Sequence, residues 1–167
     1  SVFLGEELTD ILENFEAGKK YNAVDKGYIE LGVNTLPQLP QDISDRNRTS
    51  PFAFTGNKFE FRMPGSSVST AGPNIALNTA VGDVLHNYAD RLEKADDFFK
   101  ELTALLSDEL AAHSRVIFNG NNYSDEWVEE AARRGLPNLP NSVAAFPKYV
   151  DAKNLNLFVR NGIYSEE

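Results

Sequence analysis

Cysteine is missing from all 167 residues. That excludes disulfide staples and thiolate metal sites, and it fits a reducing compartment, the cytoplasm. Positive charge is scarce: 16 basic residues stand against 25 acidic ones, a formal net charge of −9. A nucleic-acid partner is disfavoured, because a phosphate backbone needs a basic surface. No apolar run reaches bilayer length, and Ser1-Val2-Phe3-Leu4 lacks the length and basic flank of a signal peptide. The spacings GxxxxGKS/T, GxGxxG and GxSxG are all absent, which argues against a phosphate loop of those kinds or a nucleophile elbow. His86 and His113 fall on helical stretches without a partner at ligand spacing and read as ordinary helix residues. The sequence also opens without methionine, inside what reads as ordered chain, so a processed, tagged or excised segment is expected.

What is present suits a folded domain. Hydrophobic residues make up 41% and aromatics 11%, enough to argue against wholesale disorder and for a real core at this length. Leu8, Ile11, Leu12 and Phe15 recur at helical spacing from Glu6, with Gly18 as the stop. The proline-containing stretch 32–45 reads as an extended surface loop. Two short strands follow at about 51–55 and 58–63, joined by a tight turn at Gly56-Asn57. After a small, polar segment, a long helical stretch opens at Pro73 or Asn74, with Asn74 as its cap. Its apolar stripe is Ile75, Leu77, Val81, Val84, Leu85, Tyr88 and Leu92. Helical pattern resumes through Phe98, Phe99, Leu102, Leu105, Leu106 and Leu110, so a helical hairpin or one long broken helix is expected. Val116 to Phe118 reads as a brief extended turn. Ser124 should cap a short helix containing Trp127, Val128 and Ala131, with Gly135 past its end. A proline-rich loop at 136–147 leads to a last helix at 151–160, with Leu155, Phe158 and Val159 inward.

The chemistry concentrates in the hairpin. Lys58, Glu60 and Arg62 alternate with Phe59, Phe61 and Met63, which places the three charges on one strand face and the apolar side chains on the other. A carboxylate flanked by cations on a strand suits a divalent cation bound with phosphate oxygens. The commoner reading of the same residues is a carboxylate paired with Lys58 or Arg62. Arg46, Arg48 and Arg62 could clamp phosphate or carboxylate oxygens through the guanidinium fork. They read equally as surface arginines near Asp42 and Asp45. Thr49 and Ser50 either donate to the same anion or cap the turn before Pro51. A lone two-stranded hairpin is marginal in water, so these strands should belong to a larger sheet or pack on the helices.

The segment DRNRTSPFAFTGNKFEFRMPGSS, residues 45–67, resembles the catalytic-domain signature of type III glutamine synthetases, the large bacterial form. The resemblance extends through SVFLGEELTDILE at the start, GPNIALNTAVGDVL in the middle and HSRVIFNGNNYSDEWVEEAARRGLPNL later. It implies ATP-dependent ligation of ammonia to glutamate through γ-glutamyl phosphate, with Mg2+ or Mn2+ in the site. Lys58 then contacts ATP phosphate and Glu60 coordinates metal. Arg62 stabilises the substrate carboxylate or the phosphoryl group in transfer. Arg48 contacts the transferred phosphate, and Arg46 stands in for a family arginine where this chain has Ala53.

The implied fold is α+β and mostly helical, with one β-hairpin at about 51–63 packed with or beside long helices. Residues 1–167 would be a single partial catalytic domain, without the β-grasp N-terminal domain. The remaining metal ligands and a neighbouring subunit of a homo-oligomer would complete the pocket, and the isolated chain would be inactive. Two other readings stay open: an independent helical interaction or assembly module without catalysis, and a related ligase acting on another amine.

Overall fold

The computed structural model describes residues 1–19 and 49–165, together with the backbone of 28–29 and 39–40. Its helices are α1 (Glu6–Glu16), α2 (Ala71–Glu93), α3 (Phe98–His113), α4 (Asp125–Arg133), α5 (Ser142–Ala145) and α6 (Ala152–Arg160). Its strands are β1 (Tyr28–Ile29), β2 (Leu39–Pro40), β3 (Phe52–Phe54) and β4 (Phe59–Phe61). This is the mostly helical α+β chain that the periodicities imply. The chain divides into two compact units: Ser1–Met63 with Ser107–Glu130, and Pro64–Leu106 with Ala131–Glu167. Among the described residues no helix is long and apolar enough to cross a membrane.

In the first unit, β3 and β4 pair antiparallel, with Phe52 opposite Phe61, Ala53 opposite Glu60 and Phe54 opposite Phe59. Gly56 adopts φ 93° in the connection, a conformation open to glycine and strained for residues with a Cβ. The Thr55 amide donates to the Lys58 carbonyl at 2.8 Å and closes the turn. The hairpin does not stand alone. Phe3 runs parallel to Ala53 on the other edge of β3: its amide donates to the Phe52 carbonyl (2.9 Å) and its carbonyl accepts from Phe54 (2.8 Å). Val2 in turn bridges Ile117, donating to Val116 and accepting from Phe118. Four extended segments therefore lie side by side, and Ala53 at their centre is fully buried. The stretch read as a turn at 116–118 is the outermost of them, following a short 3-10 turn at Ser114–Val116.

Within the stretch 32–45, read as loop, Leu39–Pro40 pairs antiparallel with Tyr28–Ile29; the rest of it lies outside the described residues. Ser124 caps α4 as predicted, its Oγ accepting from the Trp127 amide at 3.3 Å. Trp127 is buried and stacks on Phe118 with ring centroids 4.0 Å apart.

In the second unit, three expectations need correction. Asn74 is no cap: α2 starts at Ala71, and the Asn74 amide already donates to the Thr70 carbonyl at 3.0 Å. Pro73 is tolerated inside the first turn because an amide there has no intrahelical partner to lose. The segment 136–147, read as loop, contains α5, capped by Asn141, whose Oδ1 accepts from Ala144 at 2.9 Å, and a 3-10 turn at Phe146–Tyr149. The apolar stripe of α2 is the third. Ile75, Val81, Val84 and Leu85 are exposed, and the buried positions are Thr79 and Asp83.

The reason for that inversion is that α6 docks on α2 through polar groups. Asn161 Nδ2 donates to Asp83 Oδ1 at 2.9 Å, and the Arg160 guanidinium donates to Oδ2. Asn87, one turn along α2, also donates to Oδ2 at 3.5 Å. The Asn161 amide first, then Arg160, hold the Asp83 carboxyl below the usual carboxylate range, against the opposing effect of burial; the charge of His86 adds to the lowering. A depressed folded-state pKa means this stabilisation is present above the ordinary aspartate range and is lost as pH falls through the lowered value. Asp83→Ala should lower the melting temperature of the chain by roughly 3 °C at neutral pH, because it removes the acceptor shared by Asn161, Arg160 and Asn87. The difference between wild type and variant should shrink as pH falls below the ordinary aspartate range. Equal melting of the two at neutral pH would remove Asp83 as the tie between α2 and α6.

Candidate functional site

Strand β4 positions the three charged side chains as the alternation predicts. Glu60 spans both neighbours: Oε1 lies 3.4 Å from Lys58 Nζ, and Oε2 lies 3.4 Å from Arg62 Nε. All three therefore share one face, the face on which Ala53 stands opposite Glu60.

The other face is aromatic. Phe52 stacks on Phe59 at 5.5 Å, and Phe54 lies 5.3 Å from Phe59. Phe59 and Phe61, on the face away from the charged row, both lie against Phe52. They remain half exposed, at 50% and 38%, so the described contacts of this face are those within the hairpin cluster and not those of a closed core.

The three charges differ in freedom. Arg62 is nearly buried, with 11% of its side chain exposed, whereas Lys58 is 65% exposed and Glu60 lies between at 39%. The Arg62 amide donates to the Pro51 carbonyl at 2.8 Å, which ties its backbone to the start of β3. Its guanidinium is therefore largely enclosed, whereas the Lys58 ammonium is open to solvent. Lys58 first, with Arg62 contributing less, holds the Glu60 carboxyl below the usual carboxylate range. Glu60 is therefore ionised across the physiological range. The Lys58–Glu60 pair is exposed, hence weak and exchangeable, so an incoming cation or phosphate can rearrange it at little cost.

Among the described residues no three His, Asp, Glu or Cys side chains converge on a metal position. Glu60 offers a single hard oxygen ligand. Arg46 and Arg48, the arginines read as an upstream phosphate clamp, lie outside the described residues. Ser50 resolves one alternative: its side chain is fully buried and its Oγ accepts from Asn122 Nδ2 at 3.2 Å, so it is committed inward. His86 and His113 are on exposed helical positions, and His113 sits 3.3 Å from Glu109 one turn earlier.

Sequence reasoning missed the turn Asn119-Gly120-Asn121-Asn122. Asn122 accepts from Ser1 Oγ, and its amide donates to the Thr49 carbonyl at 3.0 Å. Asn119 Oδ1 accepts from the amides of both Leu4 and Gly5, at 3.0 and 3.1 Å. This turn ties the chain start and the lead into β3 together. Asparagine-glycine runs signal a turn, but nothing local states which distant backbone they will satisfy.

Comparison with known proteins gives a consistent picture. The family described as glutamine synthetase C-terminal domain matches residues 101–167. A type-3 glutamine synthetase of Dictyostelium discoideum is 42% identical over 168 residues, covering 99% of this chain and 23% of the relative. A glutamine synthetase of Butyrivibrio fibrisolvens is 41% identical over 170 residues, covering 100% of the chain and 24% of the relative. One from Bacteroides fragilis is 35% identical over 173 residues, covering 99% and 24%. The chain thus spans about a quarter of the length of the curated relatives it matches.

Proposed function

We propose, from the premise that this chain belongs to the glutamine synthetase family, that it supplies one wall of a glutamate–ammonia ligase site within a longer polypeptide. The reaction is ATP-dependent: the glutamate side-chain carboxylate is phosphorylated, and ammonia displaces phosphate from the γ-glutamyl phosphate. The observation that carries this reading is the Lys58–Glu60–Arg62 row, held on one strand face with the carboxylate between two cations. Phosphoryl transfer asks a protein mainly to position its reactants and neutralise oxygen charge, and such a row does both.

The roles follow from the differences in exposure. Lys58, exposed on a flexible stem, follows the ATP phosphates as a point charge. Arg62, nearly buried, presents its fork to the substrate carboxylate or to the phosphoryl group in transfer. Arg48 contacts the transferred phosphate, and Arg46 supports it where this chain carries Ala53. Glu60 fits one ligand of Mg2+ or Mn2+, since hard cations take carboxylate oxygen and keep several waters; the other protein ligands come from outside the described residues. The bound cation would offset negative charge on the phosphate oxygens. We place the whole ligase in the cytoplasm as a homo-oligomer whose neighbouring subunit closes the pocket.

A direct comparison tests this. The full-length polypeptide containing this sequence should form glutamine from glutamate, ammonia and ATP with Mg2+ or Mn2+, and the purified 167-residue chain should form none. A full-length protein without that activity overturns the reading. Activity in the isolated chain overturns the claim that it supplies only one wall.

A further inference from the structure

The charged row is set by a strand whose own partner is positioned from far away in sequence. Helix α1 begins at Gly5, which has no side chain with which to cap the helix, and φ there is 79°. Asn119, remote in sequence, instead binds the backbone immediately ahead of the helix. Its Oδ1 accepts from the Leu4 and Gly5 amides, and its Nδ2 donates to Thr9 Oγ1 at 2.8 Å and to the Gly5 carbonyl at 3.5 Å. All the hydrogen-bonding capacity usually available to an amide side chain is thereby directed onto one helix start.

The consequence reaches the hairpin. Val2 and Phe3 immediately precede the clamped residues, with Val2 held by Val116 and Phe118 just before Asn119. Phe3 then exchanges two backbone hydrogen bonds with β3 around Ala53, the residue opposite Glu60. A one-residue slip of Phe3 against β3 would reverse which side chains face each way and break this pairing. The Asn119 bonds hold Leu4 and Gly5, directly after Phe3, against such a slip.

We infer that Asn119 is a positioning residue for the Lys58–Glu60–Arg62 row, acting through Leu4–Gly5, Phe3 and Ala53. This inference rests on the ligase reading for its activity arm only; its structural arm stands apart. The experiment uses the full-length protein as wild type, Asn119→Ala and Asn119→Asp. Aspartate keeps the acceptor and favours a helix start electrostatically, whereas alanine removes it.

In Asn119→Ala, amide exchange at Phe3 and Phe54 should accelerate by about tenfold, while exchange in α2 and α6 is unchanged. kcat for glutamine formation should fall by about tenfold and the Mn2+ concentration for half-maximal rate should rise, with Asn119→Asp restoring both towards wild type. Unchanged exchange at Phe3 and Phe54 overturns the clamp. So does acceleration shared equally by α2 and α6, which would mark a general loss of stability. Faster local exchange with unchanged kcat and metal dependence in an active wild type overturns the positioning role. An inactive wild type overturns the ligase reading instead, and the exchange data then decide the clamp alone.

Discussion

Glu60→Ala in the full-length protein should lower glutamine formation by on the order of a thousandfold while leaving the fold intact. The carboxylate lies between Lys58 and Arg62, each 3.4 Å away, and its exposed pairing adds little to folding. Its removal therefore costs chemistry and not stability. Two like charges, Lys58 and Arg62, lose the group that lies between them, and on the proposed reading a divalent cation would lose a ligand. Glu60→Gln separates these effects from shape, since it keeps the volume and one carbonyl oxygen but no charge. Both variants should need more Mg2+ or Mn2+ for half-maximal rate, measured alongside circular dichroism spectra that match wild type. A Glu60→Ala protein within threefold of wild type would mean that Glu60 is only the strand carboxylate of a structural ion pair.

Arg62 should be nearly as costly to lose, by a different route. Arg62→Ala is expected to reduce kcat/KM by roughly a hundred- to a thousandfold, and Arg62→Lys to recover only part of that. Lysine preserves the charge but not the planar fork, and the Arg62 side chain sits at 11% exposure where a shifted ammonium cannot rebuild the same contacts. Separate determination of kcat and of KM for glutamate and ATP gives the test. A fall concentrated in kcat points to the transferring phosphoryl group, and one in KM for glutamate points to the substrate carboxylate. Full activity in Arg62→Lys would refute a role for the fork and leave charge alone.

The two predictions share a structural basis that was only half legible from the residues. The alternation Lys58, Phe59, Glu60, Phe61, Arg62 states by itself that the three charges share a face, because side chains on a strand alternate with a period of two. Gly56 and its neighbours announce the hairpin for an equally local reason. The caps at Ser124 and the boundaries of α1, α4 and α6 were readable too, being decided within a single helical turn. Where a local signal competed with another, the reading failed. Asn74 is a fair capping residue, yet Ser69 Oγ accepts from Ala71 at 3.1 Å and the helix begins earlier.

Larger misses concern α2 and the hairpin's back face. Helical periodicity finds an apolar stripe and assigns it inward, because burying apolar surface is the usual driving force. In α2 the buried residues are instead Thr79 and Asp83, and α6 meets Asp83, for Arg160 and Asn161 bring their own donors to its carboxylate. No pattern within α2 announces that, since the decisive partners are more than seventy residues away, at separations of 77 and 78. The half-exposed Phe59 and Phe61 make the same point from the other side: apolar alternation says which residues share a face but not what that face meets.

By itself, the sequence determined the local elements, the acidic and cysteine-free character, the shared face of Lys58, Glu60 and Arg62, and a resemblance that the relatives bear out across the chain. Only the tertiary structure decided that Phe3 and Ile117 lie beside the hairpin as further extended segments, that Asn119 binds the backbone of Gly5, 114 residues earlier, and that Asp83 is the buried seat of α6. The division has one physical cause. Propensity, capping and alternation act over a few residues, whereas backbone pairing and buried polar contacts are settled by which distant groups the closed chain brings within hydrogen-bonding distance.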